Sequence, residues 1–360
     1  MRKNQLFLPA EWHPQGMIQL TWPHMGTDWA DCLDDITETF LQMAEVITRH
    51  ERLLIVAPDA DAVEATLRKR LTAQSMRQVI LASCPTNDTW ARDHGAITLI
   101  SSGGEPPHLL DFRFNGWGEK FPADLDNAIT RHLAGSGVFT APVEDHDDFV
   151  LEGGSIESDG KGTVFTTSTC LLAPHRNQPL SREEIEEQLK QRLKADRIVW
   201  LDHGTLLGDD TDGHIDTIVR TAPDDTLLYV SCDDIHDGQF ADFQALEQQL
   251  NQLRTPKGLP YRLIPLPMPR AIYEDDYRLP ATYANFVILN DAVMMPTYQQ
   301  PDLDALARQA IQRAFPGREV TGIDATTVIR QHGSLHCLTM QYPQELLPNH
   351  PIATTNQREK

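Results

Sequence analysis

The sequence predicts an α/β fold, and three observations carry that expectation. About fifteen short apolar or alternating runs read as strands, about six longer stretches carry helical periodicity, and a helix arrives after every two or three strands rather than after each one. The rhythm departs from the regular alternation of a doubly wound sheet and fits a module of about seventy residues repeated around an axis, with no visible sequence identity between modules.

In chain order, the run Met17–Trp22 is the first predicted strand, followed by a helix over Trp29–His50 and a strand over Leu53–Ala57. A helix over Ala60–Leu71 precedes strands over Val79–Ala82, Ala96–Ile100 and Leu109–Phe114. Asp124–His132 reads as helix, and Phe149–Leu151, Thr163–Thr167 and Ile198–Leu201 as strands, with a helix over Ser181–Lys194 before the last. Ser181 followed three residues later by Glu184 is a capping box, which fixes that helix start. Strands over Thr217–Arg220, Leu227–Ser231 and Arg262–Leu266 surround a helix over Gln239–Leu253. The pattern ends on Phe286–Leu289, Ala292–Met295, Glu319–Ile323 and Cys337–Gln341, with a helix over Asp302–Phe315. Gly and Pro pairs such as Gly103-Gly104 and Pro106-Pro107 mark boundaries. No linker or low-complexity segment divides the chain, so residues 1–347 are expected to form a single domain and 348–360 a polar C-terminal tail.

Composition narrows the function classes. The 360 residues are 40% apolar and 23% charged, as in a globular protein, and long enough to bury a large core without disulfide or metal staples. Acidic residues outnumber basic ones 52 to 31, for a net charge of −21. Nucleic acid and anionic membranes both demand a positive face, so neither is an expected partner, whereas a small cation is permitted. The apolar stretch after Met1 is only Leu6-Phe7-Leu8, too short for an export signal or a membrane span. Five scattered cysteines without a C-x-x-C pair indicate a reducing, cytoplasmic setting. A homodimer is compatible with all of this, although no self-complementary patch is legible.

Common motifs are absent: there is no Walker A loop, G-x-G-x-x-G, H-E-x-x-H or G-x-S-x-G. The acidic run Asp209–Asp216 resembles a calcium loop, but aligning Gly213 with the loop glycine puts Gly208 and Val219 where carboxylates belong. Four segments remain in which reactive groups crowd beside turn glycines or strand ends: Trp90–Asp93, Leu151–Gly154, Asp212–Asp216 and Gly333–Cys337. Singly, each has a bland reading as surface pair, turn or buried thiol. Together, a cysteine, a histidine and several carboxylates are what attack on a guanidinium carbon requires. Carboxylates match the planar cation through its paired N–H donors. The cation offsets the cost of burying them and favours an ionised sulfur, while a histidine protonates departing ammonia and then activates water. His214 and Asp216, two residues apart, share a face if their segment is extended.

Read in order, these segments identify a resemblance. Glu11-Trp12-His13-Pro14, Leu20-Thr21-Trp22-Pro23, Asn87–Asp93, Asn115-Gly116-Trp117-Gly118, Leu151–Ile156, Asp212–Asp216 and Leu335–Thr339 together resemble the agmatine deiminase family, within the porphyromonas-type peptidyl-arginine deiminase group and the guanidino-group modifying superfamily. The resemblance implies a five-bladed pseudo-symmetric α/β propeller of ββαβ modules and a hydrolysis without cofactor or metal. It implies Cys337 as the nucleophile, His214 as general acid and base, Asp93 and Asp216 as the guanidinium clamp, and Glu152 as the support of His214. Trp90 would lie along the substrate, a small cationic guanidino compound. The nucleophile loop reads Gln331-His332-Gly333-Ser334-Leu335-His336-Cys337, where the family commonly reads Gly-Gly-Gly-Asn-Ile-His-Cys. Agmatine, free arginine and peptidyl arginine therefore all stay open as substrates, and amidino transfer and non-catalytic binding of a guanidino ligand stand beside hydrolysis. Trp117, between two glycines, is expected to anchor its loop by packing, and the acidic cluster of Glu144, Asp145, Asp147 and Asp148 to be a solvated loop.

Overall fold

The structure, a computed structural model, describes residues 5–347; the tail assigned to 348–360 lies outside them. Strand β1 (Leu6–Phe7) leads into β2 (Gln15–Thr21), which the parallel strands β3 (Arg52–Ala57) and β4 (Val79–Ser83) extend into a sheet. In the second sheet β5 (Ile97–Ser101) runs antiparallel to β6 (His108–Arg113) and β6 parallel to β7 (Val143–Val150), with β1 on the outer side of β5. The same antiparallel-then-parallel order recurs in β8 (Ile156–Ser158), β9 (Thr163–Thr167) and β10 (Arg197–Leu201), and again in β11 (Val219–Ala222), β12 (Thr226–Ser231) and β13 (Arg262–Pro267). A hairpin, β14 (Ile272–Glu274) and β15 (Tyr277–Leu279), separates these from a fifth sheet of β16 (Val287–Ile288), β17 (Ala292–Thr297) and β18 (Glu319–Asp324). The last strand, β19 (Thr339–Pro343), pairs antiparallel with β2, so the first sheet is completed by the far end of the chain.

Each parallel pair needs a crossover, and a helix supplies it. Leu33–His50 joins β2 to β3 and buries Ile36, Phe40, Met43 and Ile47, one stripe at helical spacing. Arg182–Leu193 begins on the anticipated reciprocal cap of Ser181 and Glu184, and Pro301–Ala314 begins on a proline whose missing N–H costs nothing at that position. Modules share cores: one apolar cluster takes Ile18, Ile55, Val199, Leu228 and Val293 from strands of four sheets. The sequence expectation of a mixed α/β chain holds.

Several elements differ from the sequence reading. β1, β8 and the β14–β15 hairpin were not expected, because two or three residues are too few to show a period. The region read as a helix over Asp124–His132 is a 3₁₀ turn, Asp126–Ala128, running into a helix over Ile129–Gly135. Glu144, Asp145, Asp147 and Asp148 are not a loop but lie in β7, the edge strand of its sheet. Charge along an edge discourages pairing with another chain, so the polar pattern and the strand are compatible. No helix among the described residues is long and apolar enough to cross a membrane.

Candidate active site

The sheets are joined by short turns, and these turns carry the reactive side chains. Asp93 sits in the helical turn Ala91–His94 between β4 and β5; Glu152 precedes the 3₁₀ turn Gly153–Ser155 between β7 and β8. His214 caps, and Asp216 lies within, the 3₁₀ turn Ile215–Thr217 that leads from β10 toward β11. The segment is thus a turn, not the extended stretch in which the two would share a face. Cys337 stands two residues before β19, in the turn preceding the strand rather than in it.

Three of the five, His214, Asp93 and Asp216, meet around Gly154, and Cys337 and Glu152 adjoin them. A Cβ placed on Gly154 would lie 2.6 Å from His214 Nδ1, 2.9 Å from Asp93 Oδ1 and 3.1 Å from Asp216 Oδ2, so only a hydrogen fits among the three. His214 Nδ1 is 3.7 Å from Asp93 Oδ1, and Cys337 Sγ is 3.9 Å from Asp216 Oδ2. A ligand atom of Glu152 lies within 4.8 Å of one of His214. The five are buried.

Their partners set their charges. Asp93 accepts hydrogen bonds from the Gly154 N–H and the Trp117 indole N–H, both at 3.0 Å, while burial raises its pKa against the pull of His214. Burial would likewise raise Asp216, but the His336 imidazole, 2.7 Å from Oδ2, outweighs it and holds the carboxyl below its ordinary range; among the described residues nothing hydrogen-bonds Oδ1. Burial alone would strip the proton from His214, yet the Asp93 carboxylate, then the neighbouring Cys170 and then Glu152, raise its pKa well above the usual imidazole value. The Cys337 thiol is pushed well up, first by burial and then by Asp216 and Asp93. The site therefore sets a neutral thiol and an imidazolium among buried carboxylates, with Asp93 facing His214 and Asp216 facing His336.

A cavity of ≈ 340 Å³ reaches this centre, with Cys337 and Asp93 in its lining together with the aromatic Trp90 and Trp117 and the carboxylates Asp88 and Asp210. Burial raises Asp88 to about 7 and Asp210 to about 6, so both gain by meeting a positive ligand. Gly333 lies flush on Trp90: a Cβ there would fall 2.1 Å from the indole ring. His332, from the same loop, has φ of +68°, lines the cavity and is fixed by a 2.9 Å contact of Nδ1 with the Gly208 carbonyl.

Several functional residues escaped the sequence reading. Trp117, expected only to pack, both packs against Phe114 and Trp90 and donates to Asp93; it does so from φ of +55°, a conformation rare for a bulky residue. Asn285 Oδ1 accepts from the backbone N–H of His336 and Cys337 at 2.9 and 3.2 Å and lies 3.4 Å from the Cys337 sulfur, which fixes the turn that carries Cys337. Arg176 grips Glu152 Oε1 at 2.8 Å. Behind Asp216, the buried Arg220 bonds Glu157, Glu11 and the carbonyls of Ala284 and Phe286, and meets His336 Nε2 at 3.1 Å. The only sequence signal was adjacency: His336 neighbours Cys337 and Asn285 follows a run of small and aromatic residues, and nothing marks Arg176 or Arg220. Replacing Arg220 by methionine leaves two buried carboxylates without their cation. It should destabilise the protein by about 3–5 kcal/mol, read as a lower urea midpoint at unchanged slope.

Comparison with known proteins places this geometry. A model of the Porphyromonas-type peptidyl-arginine deiminase family matches residues 7–343. A Marinomonas sp. protein provisionally named agmatine deiminase is 33% identical over 363 residues, covering 94% of each chain. Among solved structures, a Porphyromonas gingivalis protein provisionally described as an arginine deiminase is 50% identical, with a TM-score of 0.88 over 94% of this chain and 98% of that one. The Campylobacter jejuni agmatine deiminase, solved as a cysteine-to-serine variant with substrate bound, is 33% identical, with a TM-score of 0.86 over 95% and 97% of the two chains. On the extent of these matches, the chain belongs to the Porphyromonas-type peptidyl-arginine deiminase family.

Proposed function

We propose that this protein is an agmatine deiminase, hydrolysing the guanidinium of agmatine to N-carbamoylputrescine and ammonia. The observation that carries the reading is the convergence of Asp93, Asp216, His214 and Cys337 on the space beside Gly154, at the inner end of an acidic cavity. A guanidinium entering between Asp93 and Asp216 supplies the charge their burial lacks. Its positive field also lowers the pKa of Cys337, since the two carboxylates that add to the effect of burial on that thiol become paired. The Cys337 proton passes to solvent as the substrate binds, and the thiolate attacks the guanidinium carbon and forms a C–S bond. His214 gives its proton to the departing nitrogen, the C–N bond breaks and ammonia leaves, with an amidino-thioether on Cys337. His214, now neutral, takes a proton from water as its oxygen attacks the same carbon. The C–S bond breaks to release the thiolate, the remaining hydroxyl proton passes to solvent, and the neutral product urea leaves. Trp90 and Trp117 line the path of the aliphatic chain, and Asp88 and Asp210 suit a distal ammonium.

Two coarser features belong to the same reading. Apart from the β14–β15 hairpin, five sheets with a recurring antiparallel-then-parallel order, the first of them completed by β19 on β2, support five blades around a pseudo-symmetry axis within a single catalytic domain. All five cysteines are free thiols, which suits a cytoplasmic enzyme. The test is intact mass after a rapid quench with agmatine. An added amidino group on the peptide bearing Cys337 is expected, and ammonia release without that adduct would refute the covalent route. The 50% identity to a protein described as an arginine deiminase favours free arginine as the second reading, with His332 the basic group available to its carboxylate. Higher kcat/KM for arginine than for agmatine would select it.

The pH profile follows from His214. Its imidazolium is needed to release ammonia, and its folded pKa is raised, so kcat/KM should fall on the alkaline side of an optimum lying above the ordinary histidine value. Glu152 is one of the carboxylates that hold that proton. In Glu152→Gln the alkaline limb should move to lower pH, a displacement that mere damage to the fold would not produce.

A further inference from the structure

We propose that Glu152, Cys170 and His214 form an inhibitory site for one thiophilic divalent cation, Zn²⁺ or Cd²⁺. One ligand atom from each residue, an oxygen, a sulfur and a ring nitrogen, lies within 4.8 Å of the other two. In a tetrahedral zinc site such atoms stand roughly 3.3–3.8 Å apart, so side-chain shifts of about 1 Å complete it. The mixed O, S and N set is one that zinc and cadmium favour over magnesium or calcium.

The donors are buried and poised. Cys170 is fully buried in the helical turn Ser168–Leu171, which Thr167 caps, and it makes no bond in the proposed hydrolysis, though it lies against His214 and helps to hold that residue's proton. Glu152 and His214 are fully buried as well, and among the described residues Glu152 Oε2 has no hydrogen-bond partner. Arg176 holds Oε1 of the carboxylate and leaves Oε2 available, the kind of outer contact that orients a metal ligand. A second cluster, Glu11, Glu157 and His336, has similar spacing, but there the Arg220 guanidinium touches all three and takes the place of a cation.

Coordination displaces the thiol proton of Cys170 and any proton on the coordinating nitrogen of His214 to solvent, and forms bonds from sulfur, nitrogen and oxygen to the metal. His214 is then unable to serve the departing ammonia, so turnover stops. Binding itself does not depend on the proposed reaction; only the inhibitory consequence rests on that reading.

The test uses Cys337→Ser, which removes the nucleophile as a competing thiol, titrated with Cd²⁺ and read by the ultraviolet charge-transfer absorption of a cadmium thiolate. One saturable equivalent is expected in Cys337→Ser and no such band in the double variant Cys337→Ser/Cys170→Ser. Absence of the band in Cys337→Ser, or its persistence in the double variant, overturns the site. Should the double variant not fold, Cys337→Ser/Glu152→Gln keeps Cys170 and should bind Cd²⁺ at least ten-fold more weakly than Cys337→Ser; unchanged affinity refutes the proposal. In the wild type, Zn²⁺ should abolish ammonia release from agmatine, and a chelator should restore it. A cadmium band in a protein that does not hydrolyse agmatine would leave the site standing and remove the reaction instead.

Discussion

Cys337→Ala should reduce ammonia release from agmatine by ~10⁵-fold or to background, the scale on which loss of a nucleophile acts in covalent catalysis. Agmatine should still bind, because Asp93, Asp216 and the aromatic walls stay in place. Removing the sulfur does not release a buried charge, since the thiol of the empty enzyme is neutral. Ligand-induced thermal stabilisation should accordingly survive in the variant while turnover disappears. If ammonia were still produced at a substantial rate, water would be attacking the guanidinium directly and the covalent scheme would fail.

The second large effect comes from the smallest change. Gly154→Ala should lower kcat/KM by about 10²-fold or more, because misplacing reactive groups by ~1 Å costs that much. Gly154 does not occupy a positive-φ conformation, so its backbone accommodates alanine. The obstruction is side-chain crowding, as the methyl would press on His214, Asp93 and Asp216 together. The fold should persist with a loss of about 1–3 kcal/mol, the usual range for overpacking. Gly153→Ala makes the contrast: its Cβ would meet the Arg92 carbonyl oxygen at 2.2 Å, a backbone atom that cannot swing aside. That variant should lose stability before it loses selective chemistry. Circular dichroism and urea melts alongside kinetics separate the two cases.

Much of this was legible in the chain because the information is local. The crossover helices announce themselves by periodicity and, at Ser181 and Glu184, by a cap that spans three residues. The reactive residues stand out because each sits beside glycines or at a strand end, as Glu152 does before Gly153 and Gly154. What tunes them was not legible, because those contacts join distant positions. Asn285 and Cys337 are 52 residues apart, and Arg220 and His336 are 116 apart. No window on the sequence contains both partners. A buried arginine and a surface arginine also look alike in one dimension, so Arg176 and Arg220 carry no signal until the turns come together. β7 misled for the opposite reason. Its charges describe the solvent on one flank of an edge strand, not the absence of a strand.

The pairing of Thr339 with Leu20 and of Met340 with Gln19 has a bearing on biosynthesis and repair. Cys337 is delivered to its carboxylates only when the final strand zips onto one of the first, so a ribosome must release nearly the entire polypeptide before any activity exists. During refolding from denaturant, regained turnover should consequently lag behind regained helical dichroism. Recovery of catalysis thus serves as a clock for the docking of β19 onto β2, the event that brings the sulfur to the acidic pocket.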